Sequence, residues 1–196
     1  MHNSSFQNMA RFVQNYLLKM VDQPLNILDV GSQDIYGSYK PLFNNPSWKY
    51  MGLDITPGDN VDIVVHDAYN WKDIPSRSMD VVVSGQALEH IEYIWITIIE
   101  MARVLKTGGL LCIIVPSSGP EHKYPLDCWR FYPDGLKALA KYSTLETIDA
   151  FFANQKYTDI DQDEQWNDCI LIAKKIKLPL SMRIKVGMRN IFFNNF

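Results

Sequence analysis

This 196-residue chain has no run of roughly 18 apolar residues, the length a membrane-spanning helix needs. Its N-terminus, MHNSSFQNMARF, shows no apolar signal core. Cysteine is scarce: Cys112, Cys128 and Cys169 form an odd set without a C-x-x-C spacing, which fits a reducing compartment better than a disulfide framework. Cytoplasm is therefore the expected address. Acidic residues are missing after Ala173, where Lys174, Lys175, Lys177, Arg183, Lys185 and Arg189 lie, so an acidic body carries a basic, apolar tail. Such a body argues against a surface built to grip nucleic acid and leaves the tail, 174–196, to meet a membrane surface, the body or a second copy. Internal repeats, low-complexity runs and flexible linkers are absent too, so residues 1–173 read as one domain.

What is present is the patterning of an ordinary globular protein, 47% apolar and 21% charged. Phe6, Met9, Ala10, Val13, Leu17 and Met20 recur at helical spacing behind Ser4 and Ser5, which predicts an amphipathic helix capped by the serines and stopped by Pro24. Short β-rich runs follow: NILDV, KYMGLDI, VDIVV, MDVVVS and LLCIIVP. Before the last of them, Ile91, Ile94, Trp95, Ile98, Ala102 and Leu105 mark a helix face, with Gly108 and Gly109 as its expected stop. A further helix is expected from Asp134 to Lys141, and LETIDAFFA and DCILIAKK suit a hairpin at the sheet edge. Strands separated by crossovers imply an α/β doubly wound, mostly parallel sheet with helices on both faces, whose ligand crevice lies at the strand carboxyl ends.

The residues just past each strand are then the candidates. Asp29, Gly31 and Ser32 close the first strand and enter a loop with Asp34, Gly37 and Ser38, where backbone N–H groups can approach a ligand. Asp54 ends the second strand at the spacing where a carboxylate accepts ribose hydroxyls, and Asp67 follows the third strand. These features alone would serve a dinucleotide enzyme nearly as well.

LDVGS, YMGLDI, DIVVHDAYNW, MDVVVSGQALEHI and EMARVLKTGGLL, in this order and spacing, resemble the class I S-adenosylmethionine-dependent methyltransferases, in particular the broad methyltransferase domain 11 group. The resemblance implies a Rossmann-like seven-stranded sheet with its last strand antiparallel, and S-adenosyl-L-methionine as cofactor. It places Asp29 and Gly31 near the methionyl part, Asp54 with Ile55 at the ribose, Asp67 near the adenine amine, Gln86 in the loop after strand four, and Ala68 and Ser84 as backbone neighbours. The chain departs from the family's glycine loop: Gln33 and Ile35 stand where later glycines belong, with Gly37 reached through a longer loop. The Asn-Pro-Pro-aromatic tetrad of amide- and adenine-N-methylating relatives is replaced by Ser84-Gly85-Gln86, which disfavours a nucleic-acid base as acceptor.

The acceptor side is expected in the insert 116–133. His122 there is the candidate general base and Asp127 its orienting carboxylate, since an imidazole titrates near neutral pH. Tyr124, Trp129, Phe131 and Tyr132 read either as a lid core or, with Arg130, as the wall of a pocket for a sugar-like or planar acceptor. Glu89 and His90 read as packing or capping residues. No metal is expected, because Asp159, Asp161 and Asp163 begin a calcium-like loop in which Glu164 occupies the glycine position and Ile170 that of the closing Glu. The sequence thus points to O-directed methyl transfer to a small molecule or glycan. A non-catalytic partner subunit of a larger assembly, an RNA methyltransferase and a homo-oligomer stay open beside it.

Overall fold

A computed structural model describes residues 3–156 and 166–177. Helix α1, Asn3–Phe12, runs on through a π turn at Val13–Leu17 and a 3-10 turn at Leu18–Met20. Met9, Phe12, Val13 and Leu17 are buried on one stripe of it. Contrary to expectation, Ser4 and Ser5 do not cap this helix. Both lie inside it and are buried, and the Ser5 hydroxyl pairs with the Tyr39 hydroxyl at 2.5 Å instead.

Seven strands follow: β1 Leu25–Val30, β2 Trp48–Asp54, β3 Ile63–Val64, β4 Met79–Gly85, β5 Leu105–Pro116, β6 Leu145–Phe152 and β7 Asp168–Lys175. They form one sheet in the order β3-β2-β1-β4-β5-β7-β6. Pairings are parallel from β3 to β5, whereas β7 is antiparallel to both β5 and β6. The last strand is therefore the one reversed strand, and β6 forms the edge. β7 continues through Lys174 and Lys175, so the first residues of the basic segment belong to the sheet.

Both sheet faces are covered, which is why the central strands read as continuous apolar runs rather than alternating ones. On one face Ile27, Val81, Val83, Cys112, Ile114, Ile170 and Ile172 meet α1 together with Tyr39 and Phe43. On the other, Leu28, Val82, Leu111, Ile113 and Leu171 meet helices α2, Ile94–Val104, and α3, Pro133–Tyr142.

α2 stops at Val104, before the glycines expected to end it. Leu105 turns extended and begins β5 directly, and the Lys175 ammonium takes up the helix-end carbonyls of Leu105 (2.6 Å) and Arg103 (3.2 Å). Gly108, at φ +89, and Gly109 sit instead where β5 bulges against β4, the register passing from Met79↔Leu105 to Val81↔Leu110.

Among the described residues the crossovers between β1, β2, β3 and β4 hold turns rather than full α-helices. The β3–β4 segment is instead anchored by side chains. Fully buried Trp71 donates its backbone N–H to Glu100, and the Arg103 guanidinium bonds the carbonyls of Trp71 and Ile74 while pairing with Glu100. Arg103→Met should therefore lower unfolding stability by about 2 kcal/mol, as charge-assisted bonds to these carbonyls are lost. Urea denaturation would measure it, and an unchanged midpoint would refute the anchoring role.

Candidate cofactor and acceptor site

The carboxyl ends of β1 and β2 meet through a short network. Gly31 and Ser32 donate their N–H groups to the Leu53 carbonyl, at 2.8 and 3.1 Å. Gly31 lies at φ +77, and a methyl group there would collide with the Ala87 side chain. Here glycine is required twice over, by backbone conformation and by close approach. Ser32 is buried and exchanges bonds with Asn60, Oγ to the Asn60 carbonyl and Asn60 Nδ2 to the Ser32 carbonyl, both at 2.9 Å.

Asp29 is buried, with Oδ2 accepting the Tyr50 hydroxyl at 2.5 Å and Oδ1 left without a hydrogen-bond partner. Burial raises its pKa to about 7, the Tyr50 bond opposes this, and the charge of Asp54 adds to the rise. The half-buried Asp54 accepts the N–H of Gln33 at Oδ2 (3.1 Å) and that of Ile55 at Oδ1 (2.7 Å), which ties the end of β2 to the loop after β1. Gln33 reaches across this gap, its side chain lying against Gly58 and accepting the Thr56 hydroxyl at 3.0 Å. Gly37, at φ +120, donates to the Asp34 carboxylate.

Asp67 is exposed and accepts the Tyr69 N–H, a local Asx turn. The Ala68 carbonyl accepts Trp71 Nε1–H and the Thr97 hydroxyl. The Ser84 hydroxyl is wholly buried and donates to the Val30 carbonyl, bracing β4 against β1. Gln86 sits in the loop after β4 at φ +56, and its amide donates to Asp168 Oδ1 at 2.9 Å, toward the start of β7.

The insert after β5 lies over the 3-10 turn Leu88–His90. Cys128 N–H donates to the Glu89 carbonyl, Trp129 Nε1–H to the Ile91 carbonyl, and His90 Nδ1 bonds the Leu126 carbonyl at 2.5 Å. Inside it, Asp127 Oδ2 lies 3.3 Å from His122 Nδ1 and accepts the His122 backbone N–H at 2.7 Å. Both Asp127 oxygens also take the Arg130 guanidinium (2.6 and 2.8 Å), which holds this carboxyl well below the usual range. Of the four aromatics only Phe131 is buried; Tyr124, Trp129 and Tyr132 are exposed, so they are not the core of a closed lid.

Glu89 and His90, read from the sequence as packing residues, stand at this same place. The His90 and His122 rings meet edge-on with centroids 4.9 Å apart, and Glu89 beneath them is completely buried. Residues 159, 161, 163 and 164 of the acidic loop lie outside the described residues, as does the tail from 178. Among the described residues no helix is long and apolar enough to cross a membrane.

The model of the methyltransferase domain family matches residues 28–113. No curated protein matches the chain in sequence. Solved structures do match in fold. One is the 1,6-didemethyltoxoflavin-N1-methyltransferase of Burkholderia thailandensis, crystallised with 1,6-didemethyltoxoflavin and S-adenosylhomocysteine (TM-score 0.67, 12% identity, 89% of this chain and 80% of that one). Another is the YcgJ protein of Bacillus subtilis (0.62, 16%, 90% and 100%). A third is a complex containing the Haloferax volcanii Trm112 methyltransferase activator (0.58, 16%, 88% and 94%). With the seven-stranded order, its reversed last strand and the matched segment reaching from within β1 into β5, the chain has the Rossmann-like fold of the class I S-adenosylmethionine-dependent methyltransferases, and its residues 28–113 match the methyltransferase domain family.

Proposed function

We propose that this protein transfers a methyl group from S-adenosylmethionine to an oxygen of a small molecule or glycan. The carrying observation is one line of contact: Gly31 backs onto Ala87, three residues before His90, whose ring meets His122. Cofactor loop and acceptor insert thus share the carboxyl ends of β1, β4 and β5.

The residues suit the cofactor. Bound there, it supplies a methyl group on a positively charged sulfur, and the unpartnered Asp29 Oδ1, with Asp54 beside it, favours a cationic ligand. Asp54 Oδ1 takes the N–H groups of Ile55 and Thr56 and the Thr56 hydroxyl, whereas Oδ2 takes the Gln33 N–H and keeps accepting capacity for a ribose hydroxyl, and exposed Ile55 offers an apolar surface next to it. Gly31, Ser32 and Gly37 shape the loop, while Asp67, Ala68, Ser84 and Gln86 hold the ends of the crevice around it. His122, partly exposed and oriented by Asp127, accepts the hydroxyl proton.

Calorimetric titration with S-adenosylhomocysteine tests this. One equivalent should bind, and Asp54→Ala should weaken it by about 1–3 kcal/mol. No heat together with an unchanged melting midpoint would remove the reading. A second reading, a non-catalytic partner that keeps the fold, is favoured by Gln33 filling the place of a loop glycine. It predicts cofactor binding with no methyl transfer across a broad acceptor panel and a stable heteromer in pull-down. Methylation of RNA would instead show steep salt dependence, which the acidic body disfavours.

A further inference from the structure

Glu89 has no exposed surface, and neither carboxylate oxygen has a hydrogen-bond partner in another described residue. A buried carboxylate in that condition is costly unless a cation or a proton faces it. What faces it is imidazole: His90 Nε2 lies 3.9 Å from Glu89 Oε1, and one donor atom each from Glu89, His90 and His122 fall within 4.8 Å of one another.

The His90 ring is hydrogen-bonded from behind, and the His122 ring has a carboxylate close to Nδ1 without a closed hydrogen bond. With His90 Nδ1 bonded to the Leu126 carbonyl, the proton resides on Nδ1 and the Nε2 lone pair is left free toward Glu89. Asp127, itself clamped by Arg130, stands 3.3 Å from His122 Nδ1. A backbone carbonyl behind one histidine and a carboxylate behind the other is the outer shell that orients metal-ligating imidazoles.

We infer that Glu89, His90 and His122 form a site for one divalent first-row transition-metal ion, set at the junction of the cofactor loop and the acceptor insert. Two imidazole nitrogens and one carboxylate oxygen select zinc, manganese, iron or cobalt over magnesium or calcium, which prefer all-oxygen sets. An ion about 2.1 Å from each donor draws them together to roughly 3.5 Å, within reach of side-chain torsions. Three protein ligands leave a coordination position open. Resting on the methyl-transfer reading, that position takes the acceptor's hydroxyl oxygen. Coordination lowers its pKa so that the proton leaves to water, and the oxygen's electron pair forms the new bond to the methyl carbon as the carbon–sulfur pair returns to sulfur. The His122 lone pair is then used in coordination, and activation passes from imidazole to ion.

The whole chain, stripped with a chelator, should be titrated with cobalt(II) chloride and followed by its visible d–d absorption, with manganese(II) binding read by electron paramagnetic resonance. One equivalent should bind with no thiolate charge-transfer band, which separates the site from exposed Cys128. Glu89→Gln and His122→Asn should each weaken binding at least about a hundredfold, beyond the loss typical of an outer-shell change. His90→Asn, at a side chain that is 16% exposed, should do the same should Glu89→Gln not fold. Circular dichroism and S-adenosylhomocysteine affinity check the fold of each variant. No stoichiometric ion, or one that survives in folded variants, overturns the site while leaving the methyl-transfer reading standing if the homocysteine nucleoside still binds. Ion binding without nucleoside binding would sink that reading and keep the site.

Discussion

Gly31→Ala is expected to lower stability by about 2–4 kcal/mol and to cut S-adenosylhomocysteine affinity at least about a hundredfold. Two causes act together. The φ of +77 costs an alanine about 1 kcal/mol, and the new methyl drives into Ala87 at the start of the acceptor-side turn. The loop must therefore shift at the point where Gly31 and Ser32 bond the Leu53 carbonyl. Adding Ala87→Gly removes the collision and leaves the backbone cost, so the double variant should recover most of the lost stability. Calorimetry and urea denaturation read both quantities. Wild-type nucleoside affinity in a folded Gly31→Ala protein would show that this loop does not cradle the cofactor.

Raising the pH from 5 to 8 should destabilise the metal-free protein. Asp29 holds its proton to about 7 in the folded chain against 3.8 unfolded, and burial pushes Glu89 from 4.5 to about 8. Between each pair of values the folded chain keeps a proton that the unfolded chain has released. Stability is then full below the unfolded pKa and is lost as pH rises through the folded one, with a limiting slope of about 1.4 kcal/mol per pH unit and group. His90, lowered by burial, works the other way below its ordinary 6.5, one group against two. Asp127, depressed chiefly by Arg130, loses its contribution only in strong acid, outside this range. The urea midpoint should fall from pH 5 to 8, and Asp29→Asn should flatten the decline. A midpoint that rises or stays level would place the proton elsewhere.

The architecture was legible because the central strands are buried on both faces. Runs such as MDVVVS and LLCIIVP need apolar residues at every position, and Asp29 and Asp54 mark where they reach the crevice. The end of α2 was not legible, since Gly108 and Gly109 carry the same signal for a helix stop as for a bulge, and only the register of β5 on β4 separates them. Ser5 was misread for a related reason: its partner, Tyr39, lies 34 residues away. The acceptor side shows the same limit. His122 and Asp127 are five residues apart and could be paired by eye, whereas Glu89 and His90 gain meaning only when the insert folds back over them. The one local hint was a Glu-His pair just past a strand, at the sheet end where ligands bind.

The reversed β7 also sets an order of assembly. It lies between β5 and β6, so until residues 168–175 leave the ribosome the central strand β5 presents an open flank, and β6 has no neighbour to zip against. Such an apolar edge invites pairing between nascent copies. Final closure is a single insertion event, and a chaperone that shields β5 would matter most during the synthesis of the segment between β6 and β7.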